Sequence, residues 1–287
     1  MVSKRGMART IVANKATKSS SCSHPINNTR LNRFLVLAGV KLLRRFRRCW
    51  GSVLFLTPQL CVKIGERLDL SEAATMEFIR KYTSIPVPKV YCAFRRRGKT
   101  YIVMENISGM PAAASWEQLT EQSKNRLLGQ LREMINEMRK IPAPDSRISN
   151  INGGSLYDCR LPSSLDRFGP FENTRIFHGF LRNWIEKGPP ECPDVDEMIS
   201  LHSREWGRPV FTHGDLSSLN ILIRGDHIVG LVDWETAGWY PPYWEYTSAC
   251  QVNPRNTFWA GYIDKFLEPW PEALRMEKTR QQWWGVI

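Results

Sequence analysis

Acidic residues are missing from the first fifty positions. Residues 1–50 carry twelve Lys or Arg and neither Asp nor Glu, whereas the rest of the chain carries 28 basic and 28 acidic side chains. The net charge of +12 therefore belongs to one segment. A nucleic-acid enzyme more often carries its charge on the folded body, so no specific nucleic-acid partner is expected. Long apolar runs are missing too. The longest candidate, Phe34 to Val40, falls far short of the roughly 18 apolar residues of a membrane helix, so no transmembrane segment is expected. The seven cysteines (22, 49, 61, 92, 159, 192 and 250) include no C-x-x-C, and the five histidines no H-x-x-x-H pair. A disulfide scaffold and a zinc site are thereby disfavoured. Free thiols in a reducing, cytoplasmic compartment fit better.

What is present is ordinary globular composition, 42% apolar and 24% charged in 287 residues, enough for one large domain or two lobes. Residues 1–30 are polar and basic and read as disordered. The stretch "LNRFLVLAGVKLLRRFRR" predicts a helix near 31–48. This basic segment, 1–48, would pack on the domain or be tethered to it, with weak binding to anionic surfaces. An acid-free, Arg- and Ser-containing start also allows a mitochondrial transit peptide as the alternative.

From residue 49 to 104 the pattern is that of a small lobe. "SVLFL", "LCVKIG", "KVYCAF" and "TYIVMEN" are short runs with β-branched residues and turn signals between them, "TPQ" and "RRRGK" among these. "LSEAATMEFIRKY" predicts a helix with Ala73, Met76 and Ile79 or Tyr82 on one face. A connector at 105–109 leads to a mainly helical lobe reaching residue 287. There Ser115 and Gln118 suggest a capping box, and Leu127, Leu131, Met134, Ile135 and Met138 form a core stripe. Further helices are expected over 174–185, over 194–206 and from Tyr243 onward. Three strands, "VFTH", "NILIR" and "HIVGLVD", interrupt them. Clefts between such lobes favour small molecules.

The chemistry concentrates in "FTHGDLSSLNILIRGDHIVGLVDWE". His213, Asp215, Leu216 and Asn220 match the H-R-D-L-x-x-x-N loop of protein kinases, with Gly214 in place of Arg, and a hairpin then delivers Asp233. Phosphoryl transfer must offset the charge of three phosphates and align a hydroxyl with the γ-phosphate. A carboxylate at 233 and a neutral amide oxygen at 220 suit Mg²⁺, a hard cation. Asp215 would accept or orient the hydroxyl proton, and His213 would support the loop. Upstream, Lys63 stands inside an apolar strand, where an unpaired ammonium is costly. The next helix offers Glu72 as its partner, with Glu77 as fallback.

These segments resemble the aminoglycoside phosphotransferase / choline kinase-like branch of the kinase-like fold. "HGDLSSLNIL" and "IVGLVDWE" carry the likeness, and "TSIPVPKVY", "YIVMENISG" and "DWETAGWYPPYWEY" look especially like its large fungal subfamily. The resemblance implies an α+β, bilobal protein kinase-like fold, with a small antiparallel-sheet lobe and a mainly helical lobe. It implies an ATP- and Mg²⁺-dependent phosphotransferase acting on a hydroxyl of a small-molecule acceptor. Lys63 and Glu72 would position the phosphates, and Met104, Glu105 and Asn106 would line the adenine hinge. Asp215 would be the catalytic base, and Asn220 and Asp233 would bind the metal. The departures are the absence of G-x-G-x-x-G before Lys63, Asp233-Trp234-Glu235 in place of D-F-G, and no A-P-E-like segment. They keep open a catalytically silent nucleotide-binding or scaffold protein as the alternative. Glu235, Glu245 and Asp264 are spare carboxylates available to an acceptor.

Overall fold

The computed structural model describes residues 23–161, 167–252 and 254–285. Helix α1 (Arg30–Leu43) starts at Thr29, whose side chain accepts from the Asn32 amide. It stops five residues short of the expected end at 48. Arg44, Arg45, Arg47 and Arg48 follow directly, and like charges at helical i,i+3 and i,i+4 spacing repel. Next come β1 (Cys49–Trp50), β2 (Val53–Phe55), β3 (Leu60–Gly65), α2 (Leu70–Tyr82), β4 (Val90–Arg96) and β5 (Lys99–Glu105). The strands form one antiparallel sheet in the order β1-β2-β3-β5-β4.

Each face of this sheet is covered by a helix. Ala73, Met76 and Ile79 of α2 are fully buried against Cys61, Ala93 and Ile102, while Tyr82 turns to solvent. On the other face Val36, Leu37, Val40 and Leu43 of α1 pack against Leu54, Val62, Phe94 and Val103. The edge of β4 is closed from the chain's start: Ile26 and Ala93 exchange both backbone hydrogen bonds at 2.9 Å, and Asn27 donates to the Tyr91 carbonyl. Residues 23–29 are thus ordered, against the expectation of disorder over 1–30. A backbone pair on an open strand edge outweighs their polar composition. The remainder of that expectation, residues 1–22, lies outside the described residues, as does Cys22.

β5 runs into the connector, followed by β6 (Met110–Pro111), α3 (Ala112–Ser115) and α4 (Glu121–Arg139). The expected cap at Ser115 is not used. Thr120 caps α4 instead, accepting from the Ser123 amide, because a short 3₁₀ turn separates α3 from α4. The stripe Leu127, Leu131, Ile135 and Met138 is buried. Helices α5 (Thr174–Leu181) and α6 (Pro193–His202) are shorter than expected. Then follow β7 (Val210–Thr212), β8 (Ile221–Arg224), β9 (His227–Leu231), β10 (Gly238–Tyr240), α7 (Trp244–Ala249), α8 (Ile263–Phe266) and α9 (Pro271–Trp284). β7 does not join the β8–β9 hairpin. It pairs with β10, which was not expected, while β6 extends β8–β9. The described cysteines are free thiols, and no helix among the described residues is long and apolar enough to cross a membrane.

Candidate active site

The two pairings at β7–β10 and β8–β9 place Asp215, Asn220 and Asp233 on one wall of an interlobe cleft of about 1550 Å³; Lys63 and Glu72 lie on the facing wall. Lys63 sits mid-strand, opposite Ile102, and its side chain is 7% exposed. Its Nζ donates to both Glu72 oxygens at 3.0 Å, to Asp233 Oδ1 at 2.7 Å and to Glu235 Oε2 at 3.0 Å. The partner on α2 is therefore Glu72. Glu77, the fallback, makes no ion pair with Lys63 among the described residues. Burial pushes Lys63 down, but the Glu72, Asp233 and Glu235 carboxylates overcome it and hold the ammonium above its ordinary range. One cation cannot balance three carboxylates. Burial, with Asp233 and Glu235 nearby, pushes Glu72 up to about 7 against the pull of Lys63.

Asp233 has φ +66° and ψ +63°. An aspartate tolerates this left-handed conformation better than most residues. The turn ends the hairpin abruptly and aims the carboxylate across the cleft.

The loop from His213 to Asn220 is held from several directions. Buried Glu245, at the start of α7, accepts from the His213 amide at 2.7 Å and from the Gly214 amide at 2.9 Å. His213 Nδ1 accepts from the Asp215 amide at 3.2 Å, and Nε2 lies 3.2 Å from the Val232 carbonyl. With Nδ1 accepting, Nε2 carries the proton, and burial lowers the ring's pKa. A neutral, doubly bonded imidazole braces the loop and has no spare lone pair for a substrate proton. The Arg160 guanidinium grips Asp158 through two bonds, at 2.8 and 2.7 Å, and also donates to the Gly214 carbonyl. Asn220 donates from Nδ2 to Asp215 Oδ2 at 2.7 Å and to the Asp215 carbonyl at 3.0 Å, which turns its own Oδ1 elsewhere. Burial raises the Asp215 pKa, opposed by Arg160 and by the Asn220 bond and assisted by Asp233.

Gly214 explains itself locally. Its φ is +81°, and an added Cβ would stand 3.1 Å from the Thr236 carbonyl and hydroxyl oxygens. Thr236 in turn donates to the His213 carbonyl at 2.9 Å. Gly214→Ala is expected to cost about 1–2 kcal/mol from the left-handed backbone alone. Urea melts check this, and an unchanged midpoint would show that the loop relaxes freely.

At the connector, Met104 is buried, and the amides of Glu105 and Asn106 donate to the Lys89 and Gln59 carbonyls, each at 2.9 Å. The next amide, Ile107, meets no acceptor among the described residues. Val53, Met104, Leu222 and Val232 give this end of the cleft apolar walls, and the Trp50–Ser52 turn covers it in place of a glycine-rich loop. Of the other spare carboxylates, Glu245 is committed to the loop, and Asp264 is not among the residues that line the cleft. Glu235 faces the cleft. Arg160 carried no sequence signal, since it belongs to no spaced motif, and Glu245 was expected only as a carboxylate available to an acceptor, not as the brace of the loop. Both are recognisable from buried charge facing the loop's backbone.

The model of the phosphotransferase enzyme family (APH) matches residues 66–276. The chain belongs to this family. Among curated relatives, an aminoglycoside 3'-phosphotransferase of Enterococcus faecalis is 26% identical over 161 residues, covering 54% of this chain and 56% of the relative. The match thus spans about half the length of that relative. A second aminoglycoside 3'-phosphotransferase, from Staphylococcus aureus, is 23% identical over 220 residues, covering 70% of this chain and 79% of the relative. A solved structure of similar fold is a thermostable mutant of aminoglycoside phosphotransferase APH(4)-Ia, in ternary complex with ADP and hygromycin B. Its TM-score is 0.52 at 14% identity, over 84% of this chain and 79% of that one. This phosphotransferase-family chain therefore has the kinase-like, α+β bilobal architecture.

Proposed function

We propose that the chain transfers the γ-phosphate of ATP to a hydroxyl of a small-molecule acceptor, with Mg²⁺ as its metal. The observation that carries this reading is that Asp215, Asn220 and Asp233 line one cleft with the Lys63–Glu72 pair, and that Asp233 meets the Lys63 ammonium at 2.7 Å across it. The family relatives and the ADP-bound neighbour of similar fold support it.

The apolar end of the cleft suits an adenine ring. The Glu105 carbonyl and the unengaged Ile107 amide would bond its edge, beside Met104 and Asn106. Lys63, oriented by Glu72, would meet the phosphates. The donor set fits a hard cation. Asp233 presents a carboxylate to the cleft, and the amide oxygen of Asn220 makes no hydrogen bond among the described residues. Asp233 and Asn220 would hold Mg²⁺, which when bound neutralises charge on the β- and γ-phosphate oxygens. Asp215 accepts the acceptor hydroxyl's proton as the new oxygen–phosphorus bond forms. The bond to the β-phosphate oxygen breaks, and ADP leaves with its electron pair. The free thiols suit a reducing compartment, which we take to be the cytoplasm, with a mitochondrial address as the alternative.

A silent nucleotide-binding scaffold is the second reading, favoured by the absence of a glycine-rich cover. Calorimetric titration of the full chain with a non-hydrolysable ATP analogue tests the nucleotide half. Binding is expected to require Mg²⁺ and to lose that requirement, with most of its affinity, in Asp233→Ala. Metal-independent binding of equal strength in both proteins would remove Asp233 from the metal site. Multiple-turnover phosphorylation abolished by that substitution would rule out the silent reading.

A further inference from the structure

Helix α1 is apolar on two faces, and the sheet covers just one. Val36, Leu37, Val40 and Leu43 face the sheet. On the far side Leu31, Phe34, Leu35 and Leu42 are 65%, 67%, 56% and 68% exposed. Their spacing, i, i+3, i+4 and i+11, forms one outward stripe. Phe46 continues it beyond the helix, 81% exposed. A helix apolar all round is normally buried all round, and a contiguous exposed apolar patch marks an interaction surface.

The charge around the stripe selects the partner. Between Arg30 and Trp50 stand Arg30, Arg33, Lys41, Arg44, Arg45, Arg47 and Arg48, with no acid anywhere in residues 1–50. None of these cations forms a salt bridge among the described residues. We propose that this face of α1, with Arg44 and Arg45 after it, docks the protein on an anionic lipid surface. Leucine and phenylalanine would enter the headgroup–acyl boundary while the flanking cations meet lipid phosphates and carboxylates. A nucleic-acid backbone would use the cations but leave the aliphatic stripe in water. A second copy would bring like charge against like.

The test is co-sedimentation of the full chain with phosphatidylcholine vesicles and with vesicles also containing phosphatidylserine, at low and high salt. Binding is expected on the anionic vesicles alone and to weaken with salt. Phe34→Ser and Leu42→Ser should each weaken it about tenfold, from the apolar burial lost. Arg44→Gln and Arg45→Gln should each weaken it about fivefold. All four side chains are exposed and lie outside the cleft, so thermal melts of the variants should match the parent's. Absence of vesicle binding by the full chain overturns the proposal. So does anionic binding indifferent to Phe34 and Leu42, which would be adsorption of charge alone. Tighter retention on single-stranded nucleic acid than on vesicles, or a dimer abolished by Phe34→Ser, assigns the face to another partner and overturns it equally.

Discussion

Asp215→Asn is expected to slow turnover about 10²–10⁴-fold while leaving nucleotide affinity nearly unchanged. Asparagine keeps the size of the side chain, but one end becomes an N–H donor. Asn220 already donates to Oδ2 at 2.7 Å, so the amide settles with its oxygen toward Asn220. Its NH₂ then faces the acceptor and cannot take a proton. The loop survives, because the grips of Glu245 and Arg160 fall on positions 213 and 214. The parent's pH profile carries the same signature. As the proposed base Asp215 would act ionised, and burial holds its pKa above the ordinary aspartate value. Turnover should therefore fall as pH drops through that raised pKa. Steady-state kinetics of both proteins, with nucleotide affinity measured separately, check it. Undiminished turnover in Asp215→Asn would sink the base role.

Glu245→Ala is expected to damage both folding and catalysis. The carboxylate accepts from the buried amides of His213 and Gly214, and alanine would orphan both. An unsatisfied buried donor costs about 1–3 kcal/mol, so two threaten much of a domain's stability, about 5–15 kcal/mol. Glu245→Gln should fall between parent and alanine: its single oxygen can serve one amide while its NH₂ confronts the other. Urea unfolding and turnover should decline together across the series. Parent-like stability in Glu245→Ala would mean that solvent satisfies the loop and that Glu245 does not set its shape.

The parts of the site that sequence made legible are those where chemistry and spacing coincide. Asp215, Asn220 and Asp233 fall within nineteen positions on elements with clear turn signals. Lys63 betrayed itself as a charge inside an apolar run, and Glu72 by its place on the next helix. The less legible parts depend on residues meeting from far along the chain. Glu245 lies 32 residues from its partner, and Arg160 lies 54 from Gly214; no local pattern announces either pairing. β10 was missed because Gly238–Tyr240 is three residues long and draws its strand identity from β7. The capping misassignment at Ser115 shows the same limit: three candidate hydroxyls, Ser115, Thr120 and Ser123, precede the periodic stripe, and packing chose Thr120. Polarity alone misjudged residues 23–29, because a single backbone pair with Ala93 decided their order.

That pair also governs where the gene can safely be trimmed. The family match begins at residue 66, and a fragment cut there would discard β1 to β3 with Lys63. A fragment begun at residue 31 would keep every side chain of the cleft but strip Ile26 from β4. The bare strand edge would then offer its amides and carbonyls to any neighbouring chain, and poor recombinant yield would follow from lost edge protection rather than from a damaged active site.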